Sequence, residues 1–142
     1  MADQIMNSFG FKVLFDSNDD MGGLFQEVSG LSIQVNVTDL QEGGENTKTH
    51  KLVEGVTFSN VTLKRGMCGV GMYSWIDDVR KGNVSRKTIR IQVLGDKKDE
   101  VVKTYVLDRA IPVKWDGPSL IVMQDSIATE SLELAHEGLT VE

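Results

Sequence analysis

The chain has one cysteine, two histidines, two prolines and no surplus of positive charge, and each shortage removes a class of protein. A single thiol, Cys68, cannot close an internal disulfide, so nothing asks for an oxidising compartment. Specific metal sites draw on three or four ligands at fixed separations, and there is no HExxH, CxxC or EF-hand spacing to supply them. Lys plus Arg number 15 against 21 Asp plus Glu, a formal charge of −6 with a pI of about 4.9. Tight binding to a phosphate backbone needs clustered cations, so sequence-specific nucleic-acid binding is not expected. No stretch approaches the roughly 20 apolar residues of a membrane-spanning helix. The opening MADQIMNSFG carries neither the basic region nor the apolar run of an export signal, so the expectation is cytoplasmic folding with no membrane anchor.

What is present is alternation. The 142 residues include 14 glycines, and apolar and polar residues take turns over many short stretches, as in strands joined by turns. Phe9, Phe11, Val13 and Phe15 share a face in FGFKVLF, with Lys12 and Asp16 opposite. In LSIQVNVTD, Leu31, Ile33, Val35 and Val37 alternate with polar residues, which predicts one buried and one wetted face. Further strands are expected in VTFSNVTLK from Val56, RKTIRIQVL from Arg86, VVKTYVLD from Val101, and SIATESLELAHE from Ser126. The short AIPVKW and SLIVMQ flank the turn-prone DGP. One segment reads as a helix, about residues 71–81: Met72, Trp75, Ile76 and Val79 fall at i, i+3, i+4 and i+7. Gly71 and Gly82 bracket it, and Arg80 and Lys81 lie where the helix dipole favours cations. The fold class is therefore mainly β: two packed antiparallel sheets forming a barrel or sandwich, with one short flanking helix, in a single domain over 1–142. The polar segment Asp39 to Leu52, DLQEGGENTKTHKL, is too long for a plain turn and is expected to be a functional or a mobile loop.

Candidate chemistry is thin. His136 beside Glu137 invites a catalytic reading, but neighbours on a strand point to opposite faces, so the carboxylate would not orient the imidazole. His50 lies near Glu42 and Glu45 without enough companions for a metal site. Gly66, Gly69 and Gly71 in RGMCGVGMYSW follow the order G-x-x-G-x-G, with no Gly-Lys-Ser/Thr after them and no parallel βαβ pattern around them. They suit a connection that lets the helix pack back on the sheet. The basic pairs Lys64–Arg65, Arg80–Lys81 and Arg86–Lys87 are scattered, as on solvated faces. No reaction type, cofactor or metal emerges; these residues describe a β domain that binds something.

FQEVSGLSIQV, EGGEN, FSNVTLKRG, YSWIDDVRKG, AIPVKWDGPSL and IATESLELAHEGL, in this order from about Phe9 to Leu139, resemble the tail tube protein family of contractile-tailed phages and extracellular contractile injection systems. The sequence departs from that pattern at VEG after Lys51 and Leu52, and at Ile111 before the proline of P-x-K-W. The resemblance implies a barrel with a flanking helix, a design shared with Hcp of type VI secretion. It also implies a structural, non-catalytic protomer whose hexameric rings stack into a hollow tube that a contracting sheath drives through a target envelope. Implied partners are further copies of the chain, the contractile sheath protein, baseplate or hub and tube-terminating proteins, and a luminal cargo or tape-measure protein. Assembly in the bacterial cytoplasm, within a virion or an injection particle released from the cell, goes with this. Contacts between subunits or rings are expected at Glu42, Gly43, Gly44, Glu45 and Asn46, at Lys64 and Arg65, at Lys114 and Trp115, and at His136 and Glu137. Thr129, Ser131 and Glu133, a polar face opposite Ala128, Leu132 and Leu134, are expected to line the lumen. The competing expectation is a monomeric β-barrel that binds a small ligand or peptide through the 39–52 loop.

Overall fold

The computed structural model describes residues 10–15, 21–40, 50–95, 100–120, 122 and 128–142. In chain order these form β1 (Gly10–Phe15), β2 (Met21–Ser29), β3 (Ile33–Leu40), β4 (His50–Phe58), β5 (Val61–Cys68), α1 (Val70–Arg80), β6 (Lys87–Leu94), β7 (Val101–Asp116), β8 (Glu130–Ala135) and β9 (Gly138–Val141).

Seven strands make one antiparallel sheet in the order β6-β1-β2-β5-β8-β7-β9, and the further pairing of β6 with β7 closes six of them into a barrel. Closure depends on the 16-residue β7. One of its edges pairs with β6 over residues 101–110. The other takes β9 at Tyr105–Asp108 and β8 at Ile111–Asp116. Two irregularities let β7 change neighbours. Arg109 has a left-handed backbone, φ 50°, and the register shifts between Pro112 and Lys114, a bulge that accommodates a residue with no N–H to donate.

The alternation read from the sequence fills the barrel. Val13, Phe25, Leu63, Ile89, Ile91, Leu107 and Leu134 are all 0% exposed, and each such side chain contributes roughly 1.5–3 kcal/mol by leaving water. Helix α1 packs against β2 and β7 and buries Met72 and Trp75, with Ile76 and Val79 half-buried against the core. The Trp75 ring meets Phe15 edge-on at 5.6 Å, and its Nε1 donates to the Ser85 carbonyl oxygen at 2.7 Å. The barrel with one flanking helix thus matches the expected fold class.

Four local expectations need correction. VTFSNVTLK is not one strand, because the chain leaves β4 at Phe58 and enters β5 at Val61. VVKTYVLD and AIPVKW are one strand, β7. Of SLIVMQ, Ser119 and Leu120 are not in a strand and Val122 is in a turn. The strand expected from Ser126 begins at Glu130. The larger correction concerns β3 and β4, which form a separate two-stranded ribbon. The face expected to be buried there stands open: Ile33, Val35 and Val37 are 52%, 49% and 48% exposed. Of the segment expected to be a loop, Asp39, Leu40 and His50 to Leu52 are strand, whereas Glu42, Gly43, Gly44, Glu45 and Asn46 lie outside the described residues.

Candidate functional site

The ribbon has two unlike faces. Its register pairs Ile33 with Phe58, Val35 with Val56 and Val37 with Val53, which puts six apolar side chains on one side. Gln34 opposite Thr57, Asn36 opposite Gly55 and Thr38 opposite Leu52 make the other face mainly polar. The shift between Asn36 and Val37 leaves Glu54 as the extra residue of a bulge. Asp39 and Lys51 close the far end with an exposed ion pair at 3.0 Å.

The root of the ribbon is firmly tied to the barrel. Gly30 has φ 88°, and a Cβ there would overlap the carbonyl oxygen of Asn60, so this tight exit from β2 requires glycine. The hydroxyls of Ser32 and Ser59 lie 2.6 Å apart, and the Asn60 amide donates to Glu133 at 2.9 Å. His136 reaches the root from the β8–β9 corner. Its ring nitrogens face the carbonyl oxygens of Ser59 and Gly138, each at 3.0 Å, and its ring lies 5.4 Å from that of Phe58. Glu137 accepts from Arg109 Nε instead, and its N–H donates to the Asp108 carbonyl at 2.9 Å. The imidazole and the neighbouring carboxylate therefore have separate partners, and both act at the corner where β8 gives way to β9.

Lys64, Lys114, Ser131 and Glu133, four residues separated in sequence, converge on one hollow of about 280 Å³ with Thr62 and Asp116. Cross-strand pairing brings them together: Glu133 sits opposite Thr62 on β5 and Lys114 on β7, and Ser131 sits opposite Asp116. The surface is charged in both signs, with Lys114 3.8 Å from Asp116 and Lys64 3.9 Å from Glu27.

Trp115 turns to a different cluster. Its Nε1 donates at 2.8 Å to Glu130, which also accepts from the Tyr73 hydroxyl of α1, and the Trp115 and Tyr73 rings meet edge-on at 5.9 Å. Glu130 is only 6% exposed, so these donors replace the water a buried carboxylate loses. Burial, and then the nearby Glu130 charge, pushes the Cys68 thiol up to about 12. Burial and the bond to Glu130 likewise raise the Tyr73 hydroxyl. Sequence reading passed over Glu130, although its parity with Leu132 and Leu134 places it on the inward face of β8.

Arg65 and Thr129 fall elsewhere again, on a wide cleft beside Leu24 and Met67. Thr129 is thereby separated from Ser131 and Glu133, with which it was grouped. Among the described residues no cluster of three or more His, Cys, Asp or Glu could hold a metal ion, and no helix is long and apolar enough to cross a membrane.

The open ribbon, the closed barrel and the paired charged surfaces are the dominant features of the described residues. The family model of the T4-like virus tail tube protein gp19 matches residues 7–140, and the chain belongs to that tail tube family. No curated protein matches it by sequence. Among solved structures it is similar to a chain of the anti-feeding prophage baseplate, with 26% identity, a TM-score of 0.70, and coverage of 96% of this chain and 93% of that one. A chain of the extended sheath-tube complex of PVC, an extracellular contractile injection system, shares the fold at 23% identity and TM-score 0.70, covering 93% and 87%. Hcp1 from Flavobacterium johnsoniae shares it at 9% identity and TM-score 0.53, covering 94% of each chain. The chain is thus a tail tube protein of the kind found in phage tails and extracellular injection particles.

Proposed function

We propose that this chain is the inner tube protomer of a contractile injection machine: six copies form a ring, rings stack into a hollow tube, and sheath contraction drives the tube through a target envelope. The observation that carries this is the open apolar face of the β3–β4 ribbon. A two-stranded ribbon is marginal alone in water, and covering half-exposed side chains such as Ile33, Val35 and Val37 would add roughly 1 kcal/mol each. Among the described residues β3, β4 and β9 also each keep an edge with no strand paired to it, which suits pairing between subunits.

In this reading the role is structural and the chain performs no catalysis. Ser131 and Glu133 face the lumen, where polar side chains keep DNA or an effector protein from sticking. Lys64, Lys114 and Trp115 meet neighbouring subunits. His136 and Glu137 hold the ribbon root at the angle that assembly requires, and Glu42 to Asn46, which follow β3 in sequence, reach the next subunit or ring. The sheath, baseplate and terminator proteins are its partners, and assembly takes place in the bacterial cytoplasm. A monomeric ligand-binding module working through residues 39–52 would leave the apolar ribbon face permanently in water.

Electron microscopy of the purified protein, concentrated and then mixed with a baseplate fraction, tests the proposal. Rings or hollow tubes of constant width are expected. Particles that remain monomeric under both conditions would refute it.

A further inference from the structure

The apolar ribbon face has a counterpart on the same molecule. A cleft of about 750 Å³ opens on the β2–β5 pair. Leu24 and Met67, cross-strand partners on β2 and β5, lie side by side in its lining and are 45% and 58% exposed. Gly23, Gly66 and Gly69 complete the lining; at Gly23 and Gly66 the space a Cβ would need is already taken by Phe25 and neighbouring backbone. We propose that this cleft receives the apolar face of the β3–β4 ribbon from a second copy of the chain, a docking that rests on the tube reading and specifies its contact.

Three observations support that occupant. First, the chain's own ribbon does not fill the cleft, since β3 and β4 pack extensively only on each other. Second, the two surfaces have opposite polarity along the same strands. β2 runs from Gly23 at the cleft to Ser29 at the ribbon root, and antiparallel β5 runs back from Thr62 to Cys68. At about 3.3 Å per residue the two ends are roughly 20 Å apart. Donor and acceptor at well-separated places on one molecule leave each copy free to engage one neighbour through its ribbon and another through its cleft, the head-to-tail arrangement that generates closed rings or open stacks. Third, the charges match. The cleft carries Arg65, held at a left-handed φ of 58°, and the ribbon carries Glu54 at its bulge. Neither has an ion-pair partner among the described residues.

The test places a benzophenone amino acid at position 67, and separately at position 24, in the full-length chain. Each probe protein is doped as a minority into unmodified, isotope-labelled protein, so that a probe that impairs assembly alone is still carried into tubes. After irradiation, mass spectrometry should find both positions joined to segment 33–40 or 50–58 of a labelled copy. Tubes in which both probes join only other segments, or only their own chain, would overturn the docking while leaving the tube reading intact. Unmodified protein that forms no tubes even with baseplate would take down both.

Discussion

The barrel and the ribbon are built from the same alternation of apolar and polar residues, yet they end in opposite states. In the barrel, Val13, Ile89, Ile91 and Leu134 are wholly covered by strands of their own chain. In the ribbon, Ile33, Val35, Val37, Val53 and Val56 are about half exposed or more. Alternation prescribes that one face must be covered and is silent about what covers it. The barrel covers its inner face within one chain, whereas in the tube proposed above other copies would complete the ribbon.

That contrast can be broken most forcefully in the ribbon. Replacing Val35 with Lys and Val56 with Glu keeps a favourable cross-strand pair but makes the middle of the apolar face charged. Tube formation should be lost outright in electron micrographs, with thermal melting of the monomer shifted by no more than about 1 kcal/mol. Deleting Glu42 to Asn46 should likewise leave a folded monomer that does not polymerise; normal tubes from that deletion would exclude an assembly contact through these residues.

The barrel should respond the other way. Leu63→Ala empties a fully buried site and should cost about 2–5 kcal/mol in chemical denaturation, with tubes still forming where the monomer remains folded. Trp115→Phe removes one of the donors to buried Glu130 and should cost about 1–2 kcal/mol.

The smallest effect is on pH. Cys68 ionises near 9.0 when unfolded but is pushed up to about 12 in the barrel. Its neutral thiol therefore adds stability that is fully present below pH 9 and is lost as pH rises towards 12. About 1 kcal/mol should disappear between pH 9 and 10, and Cys68→Ala should flatten that slope. At pH 8 the thiol should react with disulfide reagents only as fast as the barrel opens.

Most of the barrel was legible because its strands bury one face within the chain. Val13 and Phe15, Ile89 and Ile91, and Leu132 and Leu134 show the period of two, and Met72, Trp75, Ile76 and Val79 show the helical period. β2 was not, because the glycines at 22 and 23 and the adjacent polar Gln26 and Glu27 interrupt its alternation. β7 read as two strands because Asp108 and Arg109 break the pattern where the strand changes neighbours, and Pro112 sits beside its bulge. Glu130 was hidden by its chemistry, since a carboxylate on an inward face signals burial only once Tyr73 and Trp115 are known to reach it. Lys64, Lys114, Ser131 and Glu133 could be named singly, but their meeting depends on β5, β8 and β7 lying side by side, an order that the chain sequence does not display. The ribbon's exposure was illegible because alternation marks a face to be covered whether or not the same chain covers it.

Hydrogen exchange read by mass spectrometry, on the monomer and on assembled tubes, tests most directly whether the ribbon is finished by other copies. Amides of β1, β6 and β8 should be protected in both, since they belong to the closed barrel, whereas those of 33–40 and 50–58 should exchange quickly in the monomer and slowly in tubes. Equal protection of the ribbon in the two states would contradict a ribbon that is completed by assembly.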